Sequence, residues 1–147
     1  FAQNKQDALR IAADLKNDGL ICSQDIIYRE YIPLKTFEIG INGLPFTNEY
    51  RFFFYRDKLI CGGYYWSISN FIPRQIPKEA TNLAQFLAIN YIQDYVNFYV
   101  LDIAETMPCE SCPNGGYILI EINDGCQSGL SECSADELYG NLKKVLS

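Results

Sequence analysis

Apolar residues recur along this chain with two different periods, and the changes of period mark its elements. Over residues 4–18, Ala8, Ile11, Ala12 and Leu15 recur at helical spacing, and Gly19 offers a stop, so a helix is expected there. Residues 25–32 read as a strand ended by Pro33, and residues 34–45 read as a loop. Strict alternation then predicts a strand over 49–55, a turn at Arg56 and Asp57, and a partner strand over 58–66. Pro77 opens a helix to about Tyr95, with Leu83, Phe86, Leu87 and Tyr91 on its inner face. FYVLDIAET and YILIEINDGCQSGL alternate again as strands. Ser134 with Glu137 forms a capping box for a last helix that turns Leu138, Leu142 and Val145 inward. No repeat, low-complexity tract or linker interrupts the pattern. The sheet is expected to be mostly antiparallel, and the class α+β.

The last two strands carry the candidate chemistry. Phe98, Val100, Asp102 and Ala104 share one face of the first, and Tyr117, Leu119, Glu121 and Asn123 share one face of the second. A hairpin around the loop 105–116 sets Asp102 opposite Glu121, with Asn123 one step along. Carboxylates near strand ends are ordinarily solvated or paired with Arg. Here Ile118, Ile120 and Ile122 cover the other face, so the strand reads as buried on both sides. A buried charge needs a partner or a metal, and three oxygen donors suit a hard cation such as Mg2+. Glu49, Arg51, Phe53 and Tyr55 share a face of the earlier strand. Arg51 among aromatics either pairs with Glu49 or a hairpin carboxylate, or offers its fork to phosphate oxygens.

Composition narrows the classes. The 147 residues fit one compact domain, and an apolar share of 48% with 14% aromatics excludes disorder. A net charge of −6 and the absence of His argue against a nucleic-acid surface. The longest uncharged run, Leu59–Pro73, is too short to span a membrane, and no signal peptide is visible. Cysteines at 22, 61, 109, 112, 126 and 133 allow three disulfides in a secreted chain, or free thiols in a reducing cytosol. The apolar setting of Cys22 and Cys61 and the lack of an Asn-x-Ser/Thr sequon favour the second, hence a cytoplasmic location. Cys109-x-x-Cys112 with Cys126 and Cys133 offers four thiolates to zinc, but the second pair is spaced widely, and no His completes a catalytic zinc site.

Taken in order, these motifs resemble an ATP-grasp domain over about residues 20–132. IIYREYIPL looks like the hinge strand, NEYRFFFYRDKLICGGYYW like the Arg strand and its partner, VLDIAET like the Asp strand, and ILIEIND like the Glu-x-Asn strand. The likeness is nearest to the clade named for one arginine and two lysines. It implies Asp102, Glu121 and Asn123 as Mg2+ ligands and Arg51 on the phosphates or acyl phosphate. It implies Glu30, Tyr31 and Ile32 presenting backbone to adenine, Glu38 near ribose, and the turn Gln127-Ser128-Gly129 beside the acceptor. The activity implied is an ATP-dependent ligase that joins a carboxylate substrate to an amine or thiol acceptor, a peptide or protein among the candidates.

The family's nucleotide pocket also draws lysines and a phosphate-covering loop from strands before the first helix. This chain opens inside that helix pattern without an initiator Met, and Lys5 and Lys16 are helix-surface residues. It is therefore expected to be the latter part of an ATP-grasp domain. Two further readings compete: a non-catalytic binding or interaction domain keeping that shape, and a secreted disulfide-linked module.

Overall fold

A computed structural model describes residues 2–19, 23–40, 43–67, 75–110 and 112–147. Their contacts form two compact units, Phe1–Ile32 and Pro33–Ser147. No described helix is long and apolar enough to cross a membrane.

In the first unit, helix α1 spans Lys5–Lys16, and the Asn4 side chain caps it by accepting the Asp7 N–H at 2.9 Å. The helix ends at Asn17, whose N–H returns to the Ala13 and Asp14 carbonyls, not at Gly19 as expected. Ala8, Ile11 and Ala12 are half-buried. Residues 25–32, expected as a strand, are irregular. Ile27 is 82% and Tyr28 64% exposed, and among the described residues no neighbour forms a ladder with this stretch. An isolated strand leaves its backbone groups to water and gains no packing, so alternation alone does not make one.

The second unit begins with a hairpin where a loop was expected. Strand β1 (Thr36–Ile39) pairs antiparallel with β2 (Pro45–Thr47). Gly43 supplies the left-handed conformation between them, at φ +73°. The principal sheet has four strands: β3 (Glu49–Tyr55), β4 (Lys58–Tyr64), β5 (Phe98–Glu105) and β6 (Tyr117–Asp124). They lie in the order β4-β3-β5-β6, and each neighbouring pair is antiparallel, as the alternation predicted. The fold class is α+β.

Helix α2 (Lys78–Leu87) covers one face and runs on into a π-helical turn, Ala88–Ile92. Its buried positions are Ala80 and Ala84, with Ala88 and Ile92 in the turn, whereas Phe86 and Tyr91 are 52% and 60% exposed. The expectation that Phe86 and Tyr91 point inward is thus corrected. The sheet already fills this layer with Tyr50, Phe52, Phe54, Tyr64 and Tyr99, so the helix approaches through small side chains. Phe54 and Tyr99, cross-strand partners, stack with centroids 5.6 Å apart.

Helix α3 (Ala135–Leu146) covers the other face through Leu138, with Leu142 and Val145 alongside, against Phe53, Ile60, Cys61 and Val100. The Ser134 hydroxyl caps it by accepting the Glu137 N–H at 3.3 Å. Gly63 lets the approach to this helix lie on β4. A Cβ there would stand 2.5 Å from the Cys133 nitrogen and 2.6 Å from the Glu132 carbonyl carbon. The Glu132 N–H donates to the Tyr64 carbonyl at 2.9 Å along the same seam.

Candidate active site

Strand pairing builds this site. Register sets Arg51 of β3 opposite Asp102 of β5, and Asp102 opposite Glu121 of β6. A regular hairpin running on from Glu105↔Tyr117 would instead bring Ile120 opposite Asp102. A bulge between Asp102↔Glu121 and Ile103↔Leu119 absorbs that extra residue. The bulge also corrects the face expected for β6. Tyr117 and Leu119 pack in the core under α2, whereas Glu121 joins Asp102 on the opposite face. β6 is moreover an edge strand, with Glu121 and Ile122 exposed, and is not buried on both sides.

The Arg51 guanidinium ties the carboxylates together. Its Nε donates to Asp102 Oδ1 at 2.8 Å and its Nη2 to Oδ2 at 2.7 Å. The same Nη2 lies 3.9 Å from Glu121 Oε1. Nη1 donates to the Gly129 carbonyl at 2.8 Å, and the Tyr65 ring lies 4.7 Å from the guanidinium carbon. The pair is dry: the Asp102 side chain is 0% and that of Arg51 8% exposed. Burial raises the Asp102 carboxyl above its usual range, with Arg51 pulling against it and Glu121 adding to the rise. The hydrogen bonds to Asp102 push Arg51 higher still, so its charge is secure.

Glu49 shares this face of β3. It is buried, its Oε2 accepts from the Thr47 hydroxyl at 3.0 Å, and that hydroxyl accepts from Trp66 Nε1 at 3.1 Å. Burial, and secondarily the charges of Asp102 and Glu121, push its carboxyl up to about 7.

Asn123 falls opposite Val100, one step along the same face as Glu121. With Arg51, Asp124, Gln127, Ser128 and Gly129 it lines a cleft of about 380 Å³. The turn is closed internally: Ser128 Oγ donates to the Asp124 carbonyl, and the Cys126 N–H to Asp124 Oδ1, each at 2.7 Å. The structure thus joins Arg51, Asp102 and Glu121, and sets Asn123, Gln127, Ser128 and Gly129 with Arg51 around the cleft. Glu38 is half-buried on β1, and Glu30, Tyr31 and Ile32 are exposed in the irregular part of the first unit. Asp124 and Tyr65 were not singled out beforehand. Tyr65 lies just past β4, so its place over Arg51 comes from register and leaves no mark in the local pattern.

Among the described residues, no three His, Cys, Asp or Glu side chains assemble as a metal site. The set here is two carboxylates and an amide, and its chemistry fits a hard cation. One observation supports the fit: the two carboxylates already converge on a cationic nitrogen, Arg51 Nη2. None of the described cysteines lines the cleft, although the Cys133 thiol donates to the Arg51 carbonyl at 3.7 Å. Cys109 and Cys112 close a tight turn by reciprocal backbone hydrogen bonds in the β5–β6 loop. Cys61 and Cys133 are buried under α3, Cys126 is exposed, and all five are free thiols. Cys22 lies outside the described residues.

The pattern of one family matches this chain. That family is the third ATP-grasp domain family of the clade named for one arginine and two lysines, and the match covers residues 3–142. The chain belongs to the ATP-grasp superfamily. In this ATP-grasp domain the match spans both units and every strand of the site. Comparison with curated proteins finds no match, and comparison with solved structures finds none.

Proposed function

We propose that this ATP-grasp domain serves an ATP-dependent ligase that activates a carboxylate as an acyl phosphate and passes the acyl group to an amine or thiol. The observation that carries this reading is the alignment of Arg51, Asp102 and Glu121 across neighbouring strands, with Arg51 and Asn123 lining the cleft that the Gln127–Gly129 turn borders. Asp102, Glu121 and Asn123 would hold Mg2+, which in such a site neutralises charge on a transferring phosphoryl group. Arg51, fixed in charge and anchored on Gly129, is suited to phosphate oxygens through the same fork that now grips Asp102. The turn lining the cleft is the natural place for the acceptor, and a peptide or protein amine is one acceptor class. The roles of Glu30, Tyr31 and Ile32 at adenine and of Glu38 at ribose stay as the family resemblance implies them.

The test is ADP formation from ATP with a panel of carboxylates and amines or thiols, comparing wild type with Glu121→Ala in the longest soluble form of the protein. Loss of turnover in a folded variant supports the reading. Equal turnover refutes the site. A second reading, a non-catalytic binding domain, draws on one observation: both Asp102 oxygens are engaged by Arg51 in a closed, dry pair. ATP binding without turnover on any of these substrates would favour it.

A further inference from the structure

Three charges meet on one sheet face, two carboxylates and one guanidinium, and a single nitrogen of that guanidinium stands between the carboxylates. Arg51 Nη2 is 2.7 Å from Asp102 Oδ2 and 3.9 Å from Glu121 Oε1. A divalent cation bound by both carboxylates would need the space this nitrogen fills. Like charges so close in a poorly solvated site repel strongly, so the two cations exclude each other from it. The guanidinium also has anchors independent of Asp102, namely the Gly129 carbonyl at 2.8 Å and the Tyr65 ring at 4.7 Å. Gly129 belongs to the turn that lines the cleft.

We propose that Arg51 is a built-in competitor for the divalent cation, holding Asp102 and Glu121 until the cation displaces it into the cleft. This rests on the metal role proposed above for Asp102 and Glu121. The competition makes binding interdependent. A cation arriving alone must leave the guanidinium without its carboxylate. An anion arriving alone must draw the guanidinium off a buried Asp102 that then lacks a counter-ion. Arriving together, the cation replaces Arg51 on Asp102 while the anion receives the freed fork. Each ligand therefore raises the affinity of the other by the same factor. The pair also gives the buried Asp102 carboxylate a counter-ion of the protein's own.

The test uses Mn2+ alone, without nucleotide, on the full chain, with binding followed by the electron paramagnetic resonance signal of free Mn2+. Arg51→Met should bind Mn2+ roughly ten-fold more tightly than wild type, since the competent state is no longer masked. Adding Asp102→Asn should remove that gain. Arg51→Lys keeps a charge without the fork and should fall between, which preserves the test should Arg51→Met fold poorly. In the wild type, the Nε–H resonance of Arg51, assigned by its absence in Arg51→Lys, should shift as Mg2+ fills the site. Equal Mn2+ affinity in wild type and both variants would overturn the competition while leaving the metal site standing. Absence of Mn2+ binding in all three would overturn the metal site and the competition together. An unmoved Nε–H resonance at a filled site would overturn the competition alone.

Discussion

Arg51 and Asp102 face each other across β3 and β5, and their side chains close a two-pronged ion pair at 2.8 and 2.7 Å with almost no solvent contact. Asp102 therefore depends on Arg51 for its charge, and cutting the pair on one side strands a buried ion. Arg51→Met or Asp102→Asn should each lower stability by about 3–5 kcal/mol. The double variant should recover a good part of that loss, because no charge is then left unpaired. Urea unfolding of the four proteins checks this as a double-mutant cycle.

Glu49 should make stability fall as pH rises. Its carboxyl titrates at about 7 in the folded protein against 4.5 when free, so the folded state keeps a proton that the unfolded state has lost between those values. The favourable contribution is complete below pH 4.5 and is lost as pH climbs through 7. Asp102, Glu121 and Arg51 are the charged groups that act on it. Glu49→Gln should match wild type near pH 4 and exceed it above pH 8 by on the order of 3 kcal/mol. Thermal melts of both proteins across that range, compared as differences, give the result.

Glu121→Ala is expected to leave stability within about 0.5 kcal/mol of wild type, as for exposed positions generally. Its carboxylate is 47% exposed and its ion pair with Arg51 spans 3.9 Å. The same change should abolish ATP turnover. A folded, inactive Glu121→Ala protein by circular dichroism and ADP assay is the expected pair of outcomes.

Gly63→Ala should act on the site from a distance. Its new methyl would meet the backbone of Glu132 and Cys133, which cannot move as a side-chain tip can. A loss of about 1–3 kcal/mol is expected, as for overpacking in a close-fitted seam. The turn ending at Gly129 should shift with that segment, visible as amide chemical-shift changes at Gly129 and Arg51.

Ala84→Leu tests the close approach of α2 to the sheet. Ala84 is fully buried against the aromatic layer, so the added volume should cost about 1–3 kcal/mol while leaving the cleft on the other face unchanged. Unfolding midpoint and ligand binding, measured together, separate the two effects.

Much of this protein was legible in its sequence. Alternation by itself located β3, β4, β5 and β6, because a half-buried strand must repeat every two residues. Helical periodicity located α3 with its cap. The residue types Arg, Asp, Glu-x-Asn, in that order, pointed to the family before any coordinate did. Tertiary structure decided the rest. Residues 25–32 have a strand's pattern, yet no described segment forms a ladder with them. Residues 36–47 form a hairpin that a glycine-broken stretch concealed. Phe86 and Tyr91 lie outside because the aromatics of the sheet had already filled the layer beneath α2. Most of all, the meeting of Asp102 with Glu121 depends on one extra residue at Ile120. The pairing itself was expected from the hairpin. The bulge that brings it about follows from how two strands settle against a shared core, and no local pattern of side chains reveals it.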